Sequence, residues 1–127
     1  MVGIVVVSHS ADLARGVADL AGQMAGPDVR IETAGGGPDG ALGTDDGLVR
    51  DAIRRANEGD GVVVLGDLGS AILTVRHVLE RQSNGHAHLV DAPLVEGAVA
   101  AAVVASMGLE VDAVARAAEE ARGAHKL

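Results

Sequence analysis

Two short, unbroken apolar runs constrain what this chain can fold into. The first, residues 4–7, is followed closely by His9, and the second, residues 62–65, is followed closely by Asp67. Short apolar runs that end in turn-forming residues are typical of fully buried strands, which belong to parallel sheets covered on both faces. Because chemistry in such sheets sits beyond the carboxyl ends of the strands, we expect working side chains just after both runs.

The rest of the chain alternates between strand-like and helix-like segments. We predict strands at residues 2–7, 29–33, 62–65 and 87–90, each followed by at least one helix. This alternation predicts right-handed βαβ units and an α/β three-layer sandwich, with a doubly wound, mainly parallel sheet and helices on both faces. The two most hydrophobic strands are expected to be central and adjacent, as in the common order 2-1-3-4, which brings His9 and Asp67 to one crevice.

Helix starts and helix faces give more local predictions. Ser10 is predicted to cap the first helix, with Asp12 in its first turn, and Thr44 is predicted to cap the second, before two aspartates. The inner stripe of the first helix is predicted to be Leu13, Val17, Leu20 and Met24. The inner stripe of the third helix is predicted to be Ile72, Val75 and Leu79, and Ser83-Asn84-Gly85 is predicted to end it. The fourth helix is predicted to cover residues 97–107.

Composition limits the class of protein. A chain of 127 residues with 48% apolar residues suits one globular domain over residues 1–127. A net charge of −8 and the lack of Phe, Trp and Tyr argue against nucleic acid and anionic membrane surfaces as partners. The chain has no cysteine, which excludes disulfides and thiolate chemistry. We find no membrane-spanning stretch or signal peptide, so we expect a cytoplasmic protein without membrane insertion.

His9 and Asp67 have complementary chemistry. A carboxylate that accepts from Nδ1–H leaves Nε2 of a histidine free as a nucleophile, which can take up a phosphoryl group and pass it on. Backbone N–H groups at the helix openings near Ser10 and near Ser70 and Ala71 suit phosphoryl oxygens, and Gly69 allows close backbone approach. The alternatives are a surface or capping role for His9, and a role for Asp67 as N-cap of the third helix.

Other signals are weaker. Residues 35–40 match the spacing G-x-G-x-x-G, but they follow the second strand, contain a proline and do not lead directly into a helix, so we interpret residues 35–43 as a flexible loop. The pair His86 and His88 lacks an obvious third ligand, so no metal site and no cofactor are predicted. His77 and His125 have no clear partner in the sequence.

Three segments carry a resemblance to a known family: IVVVSHS at residues 4–10, LGTD at 42–45 and LGDLGSA at 65–71. In this order they resemble the mannose-type EIIA domains of the bacterial phosphotransferase system. Within that family the chain is most similar to the DhaM group, the phosphotransfer subunits of PEP-dependent dihydroxyacetone kinases, whose helix after the third strand opens with a Gly-Ser-Ala motif. The resemblance extends over essentially the whole chain.

The resemblance implies a function and a set of partners. His9 would receive a phosphoryl group from HPr and pass it to ADP held by DhaL, and the ATP so formed would phosphorylate dihydroxyacetone on DhaK. Asp67 matches the family's carboxylate partner of the histidine, and Thr44 and Ser70 lie in its active-site loops. A homodimer is also implied. Some members of the family continue into further domains, so the chain is either a stand-alone protein or an excised domain.

Three other functions stay open at this point. An EIIA domain of a sugar permease would have the same fold and histidine but would pass the phosphoryl group to an EIIB. A regulatory module would use phosphorylated His9 only as a signal. A flavodoxin-like nucleotide-binding or flavin-binding domain has the glycine loop as its only support.

Overall fold

The computed structural model, which describes residues 1–82 and 86–127, is built around a four-stranded parallel sheet of order β2-β1-β3-β4. The strands are β1 (Gly3–Ser8), β2 (Ile31–Gly35), β3 (Val62–Gly66) and β4 (Ala87–Leu89). The helices are α1 (Ala11–Ala25), α2 (Asp46–Ala56), α3 (Gly69–Arg81), α4 (Leu94–Ser106) and α5 (Val111–Glu120). Short 3-10 turns cover Pro38–Gly40 and Ala121–Gly123. The predicted fold class and strand order are confirmed.

Helices cover both faces of the sheet. Successive side chains of a strand point to opposite faces, so an unbroken apolar strand supplies two cores. Ile4 and Val6 of β1 pack with α1, α4 and α5 on one face, whereas Val5 and Val7 pack with α2 and α3 on the other. In the described part of the chain, none of the helices is long and apolar enough to cross a bilayer.

The two central strands are β1 and β3, as predicted. Every residue of both strands is buried, whereas β2 lies at one edge of the sheet and is only partly buried. In the parallel ladder, Val7 of β1 pairs with Gly66 of β3. The two strands therefore end side by side, and the loops that follow them start from the same edge of the sheet.

Helix α1 buries a different stripe from the predicted one. Its buried side chains are Ala14, Val17 and Ala21. Leu13 and Leu20 are 44% and 43% exposed and Met24 is 60% exposed, so the prediction for these three is wrong and only Val17 is confirmed. The reason is packing distance: α1 lies against the alanine-rich buried face of α4, and small side chains on both helices let their backbones approach closely.

The starts of the first two helices fit the predictions unequally. Ser10 caps α1 by accepting from Leu13 N, as predicted. The predicted cap at Thr44 is wrong, because Asp45 is the N-cap of α2 and accepts from Leu48 N at 3.1 Å. The carboxylate of Asp45 reaches the first turn of α2, whereas the hydroxyl of Thr44 bonds to Thr74 on α3.

Other boundaries differ by a few residues. Helix α3 ends at Arg81, with Gln82 as its C-cap, and the predicted stop signal Ser83-Asn84-Gly85 lies outside the described residues. Of its predicted inner stripe, Val75 is fully buried, whereas Ile72 and Leu79 are only partly buried. Helix α4 begins at Leu94, three residues before the predicted start, because it opens directly after Pro93.

Candidate functional site

Side chains from the carboxyl ends of β1 and β3 meet at one point. Nδ1 of His9 lies 2.9 Å from Oδ1 of Asp67, and the two side chains are 26% and 10% exposed. The structure thus brings together the two residues that the sequence places after the buried strands. A histidine with one nitrogen on a carboxylate and its ring open to solvent is arranged for chemistry rather than for core packing.

The sheet itself sets this geometry. Beyond the last ladder pair, Asp67 N donates to Val7 O at 3.2 Å, which keeps the two chains in register past the end of β3. The backbone of His9 then turns toward β3, and His9 N donates to Oδ2 of Asp67 at 3.0 Å. The backbone N–H and the ring Nδ1 of His9 therefore both bond to the Asp67 carboxylate.

The Asp67 carboxylate accepts four hydrogen bonds, two on each oxygen. Oδ1 accepts from His9 Nδ1 and from Leu68 N, and Oδ2 accepts from His9 N and from Ser8 Oγ. Burial alone would raise the pKa of Asp67, but these hydrogen bonds outweigh it, led by His9 N–H and the Ser8 hydroxyl, and the pKa is lowered from its ordinary value. Asp67 is thus an anion at neutral pH. The position of N-cap of α3 belongs to Leu68, so the alternative that Asp67 is this cap is wrong.

The carboxylate decides which ring nitrogen of His9 carries the proton. An ionised carboxylate only accepts, so the proton lies on Nδ1 and the lone pair lies on Nε2. Nε2 contacts Oγ of Ser70, in the first turn of α3. The nucleophilic nitrogen therefore faces the opening of that helix.

The first turn of α3 leaves backbone donors unused. Its N-cap, Leu68, makes no side-chain capping bond, in contrast to Ser10 at α1 and Asp45 at α2. The first N–H groups of a helix lack intrahelical acceptors and favour anions. Space at this turn is open, since a Cβ added at Gly69 would meet nothing within 4 Å. An anion attached to Nε2 of His9 would meet these N–H groups.

The other predicted phosphate-binding residues have partners of their own. Ser10 caps α1 through its hydroxyl, and Ser10 N donates to Ser8 Oγ at 3.0 Å. The hydroxyl of Thr44 lies 2.7 Å from Oγ1 of Thr74 on α3. Gly69, Ser70 and Ala71 all lie in the first turn of α3, and Ser70 contacts the ring of His9.

The glycine-rich segment borders the site. Gly36 N donates to Ser8 O at 3.0 Å, and Gly43 N donates to His9 O at 3.1 Å, so both ends of the loop are tied to the residues after β1. Between them the chain makes a 3-10 turn at Pro38–Gly40 and only reaches a long helix at α2. This supports the interpretation of residues 35–43 as a loop rather than a dinucleotide fingerprint, which requires a helix directly after its glycines.

Comparison with known families adds an independent finding. The sequence model of the EIIA-man family, described as the PTS system fructose IIA component, matches residues 3–115. The chain belongs to the EIIA-man family.

The relatives of this EIIA-man chain carry a common description. It is 42% identical to "PEP-dependent dihydroxyacetone kinase 1, phosphoryl donor subunit DhaM" of Listeria innocua, over 89% of each chain. It is 41% identical to the "PEP-dependent dihydroxyacetone kinase, phosphoryl donor subunit DhaM" of Escherichia coli strain K12, over 90% of this chain and 25% of that one. The chain thus spans nearly all of the first relative and a quarter of the second.

A solved structure shares the fold of this EIIA-man chain. It is described as a protein of unknown function, is 32% identical, and superposes with a TM-score of 0.83 over 94% of this chain and 95% of its own.

Sequence reasoning missed one partner and one contact in this EIIA-man chain. The prediction that His77 lacks a partner is wrong, because its Nδ1 lies 2.6 Å from Oδ2 of Asp46 at the start of α2. The role of Thr74 as partner of Thr44 was also missed. A signal existed, since Ser70, Thr74 and His77 are spaced by four and three residues and lie on one helix face. Across residues 1–82 and 86–127, no cluster of three metal-binding side chains occurs.

Proposed function

We propose that this chain is a histidine phosphocarrier and the phosphotransferase subunit of a PEP-dependent dihydroxyacetone kinase system. The observation that carries the proposal is the arrangement of His9, with Nδ1 held by anionic Asp67 and Nε2 facing the uncapped first turn of α3. Membership of the EIIA-man family and the descriptions of its relatives as phosphoryl donor subunits support it.

The loading step follows from this arrangement. Nε2 of His9 attacks the phosphorus of a phosphohistidine on HPr whose ring is protonated at its other nitrogen; the Nε2–P bond forms as the donor's N–P bond breaks, and the donor imidazole leaves neutral. The proton of His9 stays on Nδ1, so the phosphorylated ring carries a positive charge beside Asp67. The carboxylate favours that charge and keeps the reacting tautomer in place.

The transferred group would be held by the first turn of α3. The backbone N–H groups of Gly69, Ser70 and Ala71 and the Ser70 hydroxyl would donate to the phosphoryl oxygens, which a helix N-terminus favours. Ser10 and Thr44, both on segments that border His9, complete the proposed phosphate-binding set. Because the hydroxyl of Thr44 is engaged with Thr74, Thr44 would take part without donating from that hydroxyl.

Unloading would complete the cycle. The bond between Nε2 and phosphorus breaks as the terminal oxygen of ADP, held by DhaL, attacks, and the ATP that forms phosphorylates dihydroxyacetone on DhaK. We place this reaction in the cytoplasm and propose that the chain acts as a single domain over residues 1–127, in a homodimer.

Labelling tests the proposal. Incubation with HPr that carries radioactive phosphate should label the protein at one acid-labile, alkali-stable site. His9→Ala should abolish the label, whereas His77→Ala, the matched control, should keep it. His77 has a similar carboxylate partner, but it lies on α3, two turns beyond Ser70, which contacts His9. Label on His9→Ala would show that the assignment is wrong.

The acceptor is tested separately. The labelled protein is offered to DhaL with ADP and, in parallel, to a mannose-type EIIB. Discharge by DhaL with ADP is expected. Discharge by EIIB alone would indicate a sugar permease component, and discharge by neither would indicate a regulatory module.

A further inference from the structure

A closed path of contacts begins and ends at His9. From the ring, Nε2 contacts Oγ of Ser70. From Ser70, the carbonyl oxygen accepts from Oγ1 of Thr74 at 3.0 Å, and Thr74 Oγ1 lies 2.7 Å from Thr44 Oγ1. The residue before Thr44 is Gly43, whose N–H donates to the carbonyl of His9 at 3.1 Å. The path therefore links the ring of His9 to its own backbone through α3 and the glycine loop.

The direction of the bonds along this path can be assigned. A threonine hydroxyl has one hydrogen to donate. The Thr74 hydroxyl donates its hydrogen to the carbonyl oxygen of Ser70. The Thr44 hydroxyl is therefore the donor in the bond between the two threonines. Thr74 is thus the point at which the glycine loop is joined to the first turn of α3.

The glycine loop requires contacts that hold it in one conformation. Gly36, Gly40 and Gly43 all have positive φ, and glycine loses more conformational freedom on ordering than any other residue. The backbone bond from Gly43 to His9 holds the loop on the β1 side. On the α3 side, the residues that follow the loop bond to α3: Thr44 bonds to Thr74, and Asp46, at the start of α2, contacts His77.

We infer that Thr44 and Thr74 are positioning residues for phosphoryl transfer: their hydrogen bond holds the glycine loop and Ser70 in place on the two sides of His9. Neither hydroxyl touches the ring of His9, so both act through other residues. Thr44 belongs to the proposed site, and this inference, which rests on the proposed function, gives it a role through Thr74.

A double-mutant cycle tests the pair. The variants are Thr44→Val, Thr74→Val and the double variant, with Thr33→Val on β2 as the matched control and Thr74→Ser as the conservative rescue. The first measurement is amide hydrogen exchange at Gly43. The second is the single-turnover rate of phosphorylation of His9 at saturating phosphorylated HPr, with the donor's half-saturating concentration.

Loss of one neutral hydrogen bond should raise the exchange at Gly43 and lower the transfer rate by about two- to tenfold each. The half-saturating donor concentration should stay unchanged, Thr74→Ser should restore both values, and Thr33→Val should alter neither. Because both single variants remove the same bond, the double variant should match Thr74→Val. Effects that multiply, or an unchanged exchange at Gly43, would overturn the inference.

The two proposals fail in different ways. If wild-type His9 takes no label, the proposed function is wrong, and the exchange measurement still decides whether the threonine bond holds the loop. If His9 is labelled equally fast in all variants, the function stands and the positioning role of the two threonines is wrong.

Discussion

Ser8 donates a 2.8 Å hydrogen bond to Oδ2 of Asp67 from a side chain with no exposed surface. The same hydroxyl oxygen accepts from Ser10 N, so one buried atom joins the end of β1, the start of α1 and the loop after β3. Ser8 therefore holds the Asp67 carboxylate from the buried side, opposite the solvent.

Ser8→Ala should destabilise the fold by about 1–2 kcal/mol, because it removes a donor to a partly buried carboxylate and leaves Ser10 N without its acceptor. It should also bring the pKa of Asp67 closer to its ordinary value, since one of the bonds that lower it is lost. Thermal unfolding and carboxyl NMR titration measure the two effects. Ser106→Ala on α4, which loses only a bond to the carbonyl of Val103, is the control and should leave the titration of Asp67 unchanged.

Asp67→Asn should slow phosphorylation of His9 by a factor on the order of 10², comparable to the effect of changing the carboxylate that orients a histidine at a metal site. The amide can accept from Nδ1–H, but it carries no charge to stabilise the phosphorylated ring. Circular dichroism should show an intact fold. Rapid-quench kinetics would contradict the role of Asp67 if the variant were phosphorylated at the wild-type rate.

Stability should fall in acid partly through Asp67. Its pKa in the folded protein is below the ordinary 3.8, so between the two values the unfolded chain binds more protons than the folded one. The contribution of this carboxylate is therefore fully present well above pH 3.8 and is lost as the pH drops through the folded pKa. Urea unfolding of the wild type and Asp67→Asn should show a stability difference that shrinks from pH 7 to pH 3; a constant difference would argue against a lowered pKa.

Gly3→Ala should destabilise the protein by at least about 2–3 kcal/mol, because the new Cβ would lie 2.1 Å from the carbonyl oxygen of Ala56 and the backbone there must shift. Gly16→Ala, in the exposed middle of α1, meets nothing within 4 Å and should stabilise by about 0.5–1 kcal/mol through helix propensity. Thermal unfolding of both variants would separate a packing requirement at Gly3 from a general sensitivity to alanine.

Much of the fold could be predicted because the central strands are recognisable in the sequence as unbroken apolar runs. Two fully apolar strands in a chain of alternating elements leave few arrangements, and the pairing of His9 with Asp67 follows from strand order alone. Family resemblance added the proposed identity of the phosphoryl partners, which no spacing of residues in the chain encodes.

The errors came from competition between neighbouring residues. Along α1, leucines and alanines form adjacent stripes, and hydrophobicity favours the leucine stripe, whereas close packing against α4 selects the alanines. At α2, Thr44 and Asp45 are both good caps, and the choice between them depends on Thr74, thirty residues away along the chain. Contacts of this kind exist only after the helices have packed.

The pairing of Val7 with Gly66 determines which copies of the protein can be phosphorylated at His9. His9 and Asp67 stand together only while the ladder between the two innermost strands is closed, and a slip by one residue would turn the carboxylate to the opposite face. In a copy that is still folding, or whose β1–β3 ladder is open, Asp67 would not orient His9 for phosphorylation. Phosphorylation would then report on folding, because a carrier would charge only the intact copies.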